Sequence, residues 1–158
     1  MDRIPMTKDG YEALNRELEQ LTSVERPQNI KAIEEARAHG DLSENAEFEA
    51  AKDRQGFIHA RINELSSKIA LAEIIDTENL DTTRVVFGCV LLLENVDTEQ
   101  QVRYQLVGPD ESDVKKGRIS IMSPLGRAII GKEAGEEIVV QTPIGRRCYE
   151  LIDISCPT

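Results

Sequence analysis

From Lys8 onward the apolar positions recur at helical spacing. Leu14, Leu18 and Leu21 lie four and three apart, one stripe of a helix that Thr7 can cap and Asp9 favours in its first turn. The stripe falters over Val24-Glu25-Arg26-Pro27, where Pro27 lacks a backbone donor and favours a kink or a helix restart. It resumes with Ile30, Ile33 and Ala36 or Arg37, then stops at Gly40, which takes the left-handed backbone of a helix end without penalty. A second series is cleaner. Phe48, Ala51, Gln55, Ile58, Ile62, Leu65, Ile69 and Ala72 alternate spacings of three and four, a sustained heptad seam with charged residues on the other faces. Only a few residues join the two seams, so the helices must run antiparallel. Arms of roughly 30 residues extend on the order of 45 Å, and a hairpin of that length is a projection, not a compact core.

The pattern then changes period. Asp76 to Arg84 is polar and aperiodic, and the domain boundary is expected there, with a hairpin over 1–76 and a second domain over 77–158. Val85 to Val96, Val102 to Val107, Ile119 to Ile121, Glu137 to Gln141 and Cys148 to Ile154 read as strands. Thr142-Pro143-Ile144-Gly145 reads as the turn joining the last two. Ser123-Pro124 opens a short helix, with Ser as cap and Pro at the first position, ending near Gly131. Antiparallel strands with one short helix make a small α+β domain.

Composition narrows what such a chain can do. The 158 residues carry a net charge of -10, and aromatic residues make up only 4%, with no Trp. Duplex DNA binding by the chain alone is not expected, because Lys and Arg neutralising phosphates supply most of that affinity. Stacking platforms for single strands are not expected either. Cys89, Cys148 and Cys156 show no metal or redox spacing and read as free thiols in a reducing, cytoplasmic compartment. No segment is long and apolar enough to span a bilayer, and no membrane partner is expected.

The chemistry gathers at the bend, His39-Gly40-Asp41-Leu42-Ser43-Glu44-Asn45-Ala46-Glu47. Asp41 and Glu44 are three apart and can share one face of a helical turn. Two readings fit. In one, Asp41-x-x-Glu44 is a capping box, with Asp41 accepting from a backbone N–H and Glu44 reaching back. In the other, the carboxylates are hard oxygen ligands for Mg²⁺, which is often held by one or two carboxylates plus waters and phosphates. The bend has too few ligands to hold Mg²⁺ tightly by itself, but enough to complete a weak site half-built by a partner.

Several stretches, in order, resemble the bacterial Gre transcript-cleavage factors, most closely the GreA type. They are Ile4-Pro5-Met6-Thr7, Glu34-Glu35-Ala36-Arg37, Gly40 to Phe48 with Ala50-Ala51-Lys52, Phe87-Gly88, Ser123 to Ala128, Ile130-Gly131-Lys132 and Thr142 to Gly145. The resemblance covers essentially the whole chain. It implies an N-terminal antiparallel coiled coil and a C-terminal FKBP-like sheet domain. It also implies an accessory factor, not an enzyme. Such a factor binds bacterial RNA polymerase, passes its hairpin through the secondary channel, and stimulates the polymerase's own Mg²⁺-dependent cleavage of the backtracked RNA 3′ end. Asp41 and Glu44 would then steady a shared Mg²⁺ and its water, with Ser43 helping to orient RNA or water. Arg37, Lys52 and Arg54 flank the bend and would touch RNA phosphates; the alternative is that they are solvated charges paired with Glu35, Glu47 or Asp53. Ser123 and Pro124 would dock on the polymerase near the channel entrance, unless they serve only as a helix cap. Two rival functions are a channel-plugging inhibitor, which would need a different bend, and a prolyl isomerase, which would need an aromatic-lined cavity.

Overall fold

The computed structural model describes residues 2–40 and 45–157. Contacts divide the chain into two compact units: Met1–Asp2 with Tyr11–Ala72, and Arg3–Gly10 with Glu73–Thr158.

The first arm of the helical unit comprises α1 (Lys8–Gln20), a π-helical turn (Leu21–Glu25) and α2 (Arg26–Ala38). Of the kink or restart expected at Pro27, the restart does not occur. Gln20, Glu25 and Arg26 all keep right-handed helical dihedrals. A proline inside an α-helix lacks one donor and crowds the carbonyl four residues back. The wider π turn just before it absorbs that misfit, with the Arg26 N–H reaching the Leu21 carbonyl five residues away. The extra residue also moves the apolar seam by one position. Leu14, Leu21, Asn29, Ile33 and Ala36 are buried, whereas Ile30, expected in the seam, is 48% exposed.

The second arm is α3 (Ala46–Leu71). Every seam position from Phe48 to Ile69 is buried or half-buried, and Ile58 and Leu65 are fully enclosed. Cross-arm partners step inward on one arm as they step outward on the other: Glu17 with Arg61, Glu25 with Arg54, Asn29 with Ala51, Ala36 with Asn45. The arms are therefore antiparallel, as the short connection requires.

In the second unit, β1 (Ile4–Thr7) pairs with β2 (Ala72–Ile75) in a two-stranded sheet. Sequence patterning misses both. β1 is short and contains a proline, and Ala72 continues the helical period without a break. The N-terminal stretch therefore groups with the second unit, and the division falls before Asp76. Glu111, more than a hundred residues along, anchors this stretch. One carboxylate oxygen accepts from the Thr7 amide at 3.0 Å and the other from the Thr7 hydroxyl. Thr7 Oγ1 in turn caps α1 by accepting from the Gly10 amide at 3.1 Å.

The main sheet has five strands, β3 (Val90–Asn95), β4 (Gln101–Val107), β5 (Arg118–Ser120), β6 (Glu137–Thr142) and β7 (Gly145–Ser155), ordered β5-β4-β3-β7-β6. All pairs are antiparallel except β4–β5. The connection before β5 makes two 3-10 turns, Pro109–Glu111 and Val114–Lys116, and brings the chain back to lie alongside β4 in the same direction. The β3–β7 register shifts between Leu92 and Leu93, which leaves Ile152 as an extra residue on β7. That bulge lets Leu151 and Ile154, an odd spacing apart, both face the core. The core joins Val85, Cys89, Leu91, Leu93, Leu106, Ile119, Ile129, Ile138, Val140, Leu151 and Ile154, closed by helix α4 (Pro124–Ile129).

Candidate functional site

The end of the hairpin is built by a stop, a bridge and a cap. Helix α2 ends at His39, whose amide reaches the Ala36 and Arg37 carbonyls. Gly40 follows at φ +104, a backbone that only glycine adopts cheaply, and its amide donates to the Arg37 carbonyl at 3.3 Å. Asn45 then does two things at once. Its Oδ1 accepts from the Phe48 amide at 3.1 Å, capping α3. Its Nδ2 donates to the Ala36 carbonyl at 2.7 Å, a second donor on an acceptor in the last turn of α2. One side chain thus ties both arms together. His39 Nδ1 lies 3.4 Å from a Glu47 carboxylate oxygen, a second cross-arm contact that becomes ionic when the ring is protonated.

Asp41, Ser43 and Glu44 lie outside the described residues. The capping of α3, which the sequence pattern offered to Asp41, belongs to Asn45. Asn45 could have been found from sequence: it is a favoured capping residue one position before Ala46-Glu47-Phe48. The aspartate and glutamate upstream drew the capping-box pattern away from it.

The three flanking cations differ. Arg54 reaches across the hairpin to form an ion pair with Glu25, and its guanidinium lies 5.3 Å from the centre of the Phe57 ring. Lys52 Nζ donates to Gln55 at 2.9 Å on its own helix. Arg37 is exposed and has no ion pair or side-chain hydrogen bond among the described residues. The alternative pairing with Glu35, Glu47 or Asp53 is not what forms among the described residues. Glu35 pairs with Lys31 and Glu47 with His39. Helical neighbours in sequence were poor guides because the closest carboxylate to Arg54 comes from the opposite arm. Among the described residues no group of three or more His, Cys, Asp or Glu stands close enough to hold a metal ion.

Further along the hairpin, Arg61 is gripped by Glu17 across the arms at 2.5 and 2.8 Å and by Glu64 at 3.1 Å. The Arg61 hydrogen bond holds the Glu17 carboxyl below its ordinary range, outweighing the opposing effect of burial. Lys68 and Arg61 lower Glu64 likewise.

In the second unit Ser123 is the N-cap of α4. Its Oγ accepts from the Gly126 amide at 3.0 Å and donates to the Ser120 carbonyl at 2.6 Å. The hydroxyl is therefore spent within the fold, while the neighbouring Pro124 and Met122 are exposed.

Both parts of the chain have counterparts of known kind. Residues 4–74 match the family described as transcription elongation factor, N-terminal, and residues 80–156 match transcription elongation factor, GreA/GreB, C-terminal. The chain belongs to the GreA/GreB family of transcription elongation factors. It is 53% identical over 154 residues to the transcription elongation factor GreA of Thermodesulfovibrio yellowstonii, covering 98% of each chain. It is 54% identical to that of Hyphomonas neptunium, again with 98% of each covered. Among solved structures, GreA factor homolog 1 of Thermus thermophilus is 30% identical, with 96% of this chain and 98% of that one covered and a TM-score of 0.44. Residues 41–44, which include Asp41 and Glu44, lie between Gly40 and Asn45 in the sequence, and Asn45 hydrogen-bonds to both arms. No helix among the described residues is long and apolar enough to cross a membrane.

Proposed function

We propose that this elongation factor inserts its hairpin into the secondary channel of bacterial RNA polymerase and stimulates the polymerase's own cleavage of backtracked RNA 3′ ends. The observation that carries the reading is the construction of the hairpin end. Asn45 hydrogen-bonds to both arms, so the link holding Asp41 and Glu44 begins and ends at fixed points. A ligand donated to another protein's active site is useful only if its approach is set in advance, since a misplacement of about 1 Å can cost 100-fold in rate.

In this reading Asp41 and Glu44 supply carboxylate oxygens to a Mg²⁺ ion shared with the polymerase. Bound there, the metal lowers the pKa of an attacking water and stabilises the leaving oxygen. Two carboxylates suit Mg²⁺, which keeps waters and phosphate oxygens in its remaining positions. The chain is then an accessory factor whose residues complete a site that is not its own, with Ser43 orienting RNA or water. Arg37 is the cation best suited to an RNA phosphate, because it has no competing partner among the described residues. Lys52 can exchange its Gln55 contact for one. Arg54, already neutralised by Glu25, steadies the hairpin more than it attracts RNA. At the channel entrance Pro124 and its exposed neighbours would make the docking contact, because the Ser123 hydroxyl is occupied.

A prolyl isomerase is not favoured. A cleft of about 610 Å³ in the second unit is lined by Thr7, Lys8, Asp9, Asp76, Glu78 and Arg118 among others, with no aromatic ring, and a proline side chain needs an apolar and aromatic lining. Asp41→Asn tests the main reading. Asn caps a helix as well as Asp does but is a poor anionic ligand. The variant should keep the hairpin's helicity and its binding to polymerase while losing most stimulated cleavage by arrested complexes. Cleavage equal to the parent would rule out the ligand role, and a parent protein that blocks instead of rescuing arrested complexes would make the chain an inhibitor.

A further inference from the structure

Extended by one residue, the β3–β7 ladder places two of the three thiols opposite each other. β3 and β7 pair with Val90 opposite Ser155 and Leu91 opposite Ile154. The same register, continued by one position, sets Cys89 opposite Cys156. Cys89 lies on the core side with Leu91 and Leu93, all three fully buried. Cys156, two residues beyond the buried Ile154, falls on the same side by strand alternation. The carbonyl of Cys89 accepts from the Leu106 amide of β4 at 3.0 Å. Its hydrogen-bonding side is therefore turned toward β4, and toward β7 it occupies a non-hydrogen-bonded position. Facing Cα atoms at such positions stand about 4.5 Å apart, within the range of roughly 4.4 to 6.8 Å that a disulfide spans.

Leu80 supports the same placement. The Cys156 thiol donates to the Leu80 carbonyl at 3.7 Å, and the Leu80 side chain packs against the core cluster that contains Cys89. The charge of a Cys156 thiolate adds to burial in pushing the Cys89 thiol up. Cys148 is elsewhere. It lies on β7 opposite Val139 of β6, eight positions from Cys156 and so roughly 25 Å away along the strand.

We propose that Cys89 and Cys156 form an oxidisable dithiol that a peroxide converts into an intramolecular disulfide across β3 and β7. Cys156 is the half-exposed partner and reacts first. Its thiolate sulfur attacks a peroxide oxygen and the O–O bond breaks, giving a sulfenic acid and, with hydrogen peroxide, one water. The Cys89 sulfur then displaces the sulfenic hydroxyl, which leaves with the Cys89 proton as a second water while the S–S bond forms. Two thiols lose two protons and two electrons, and one peroxide is reduced to two waters. Because burial disfavours the Cys89 thiolate, the closing step accelerates as pH rises.

The test treats the full-length protein with hydrogen peroxide, alkylates the remaining thiols, and maps the peptides by mass. The expected product has lost two hydrogens, joins the Cys89 and Cys156 peptides, and still carries an alkylated Cys148. Cys148→Ser should form the same link. Cys89→Ser should instead accumulate Cys156 as the sulfinic acid, having no partner to trap the first oxidation product. A link that includes Cys148, a disulfide between two chains, or sulfinic acid at Cys156 forming as fast in the parent as in Cys89→Ser would each overturn the proposal.

Discussion

Asn29 is a polar residue in an apolar seam, and replacing it separates stability from register. It is only 7% exposed, and its Nδ2 donates to the Ala51 carbonyl of the facing arm at 2.9 Å. Ala51 sits inside α3, so its carbonyl keeps a helical partner when the Asn is removed. Beside Asn29 runs a groove of about 480 Å³ lined partly by Ala32, Ala50 and Ala51, which leaves room for a larger apolar side chain. Asn29→Leu gives up one neutral hydrogen bond, worth about 1 kcal/mol net. It gains the burial of a leucine, about 1.5–3 kcal/mol when complete. The expected balance is a stabilisation of about 1 kcal/mol, or a rise of about 2–4 °C in melting temperature for a chain of this size. What is lost is a buried polar contact that, together with Glu17–Arg61, Glu25–Arg54 and Ala36–Asn45, aligns the two arms in one axial register. Thermal unfolding followed by helical circular dichroism, run beside the transcript-cleavage assay, reads both quantities. The variant should melt higher and stimulate cleavage less, since the arms that present the hairpin end are then less firmly aligned. A higher melting temperature with unchanged stimulation would show that Asn29 does not set register. A lower melting temperature would show that the hydrogen bond contributes more than leucine burial.

Two further outcomes follow from the packing. Gly126→Ala should destabilise the second unit by about 1–3 kcal/mol or more, measured as the midpoint of urea unfolding, because the added Cβ runs into the Ser120 carbonyl and approaches backbone atoms of Ile121 at 3.0 and 3.1 Å; an unfolding midpoint equal to the parent's would mean that α4 is free to shift. Glu17 has a folded-state pKa depressed by Arg61, so its contribution to hairpin stability is full above its ordinary value of 4.5 and is lost as pH falls through the lower, folded value. Its side chain is 41% exposed, so solvent screening keeps the contribution within about 1 kcal/mol. The stability gap between parent and Glu17→Gln should therefore narrow on acidification below pH 4.5, and a gap that widens would contradict the ion pair.

The helical seam and the strand runs were legible in the sequence because they depend on local period alone. Every seam position of α3 from Phe48 to Ile69 turned inward as its spacing required, and Ser123-Pro124 capped α4 as that dipeptide does on chemical grounds. The hairpin's antiparallel sense was likewise forced by a connection too short to allow anything else. What periodicity could not carry was any feature that depends on a break in the period or on a distant partner. Pro27 announced a disturbance, but not that a π turn would keep the helix continuous and exchange Ile30 for Asn29 in the seam. The bulge at Ile152 brought Leu151 and Ile154 to one face, which strict alternation forbids. β1 and β2 are too short to have a period, and they exist because each gives the other hydrogen-bond partners and Glu111 holds Thr7 from far along the chain. At the hairpin end, the sequence offers Asp41 and Glu44 as candidate carboxylate ligands, and both lie outside the described residues. That Asn45, and not the nearby acids, would cap α3 and hold the two arms together was decided by the Ala36 carbonyl, an acceptor nine residues earlier that only the folded hairpin brings within reach.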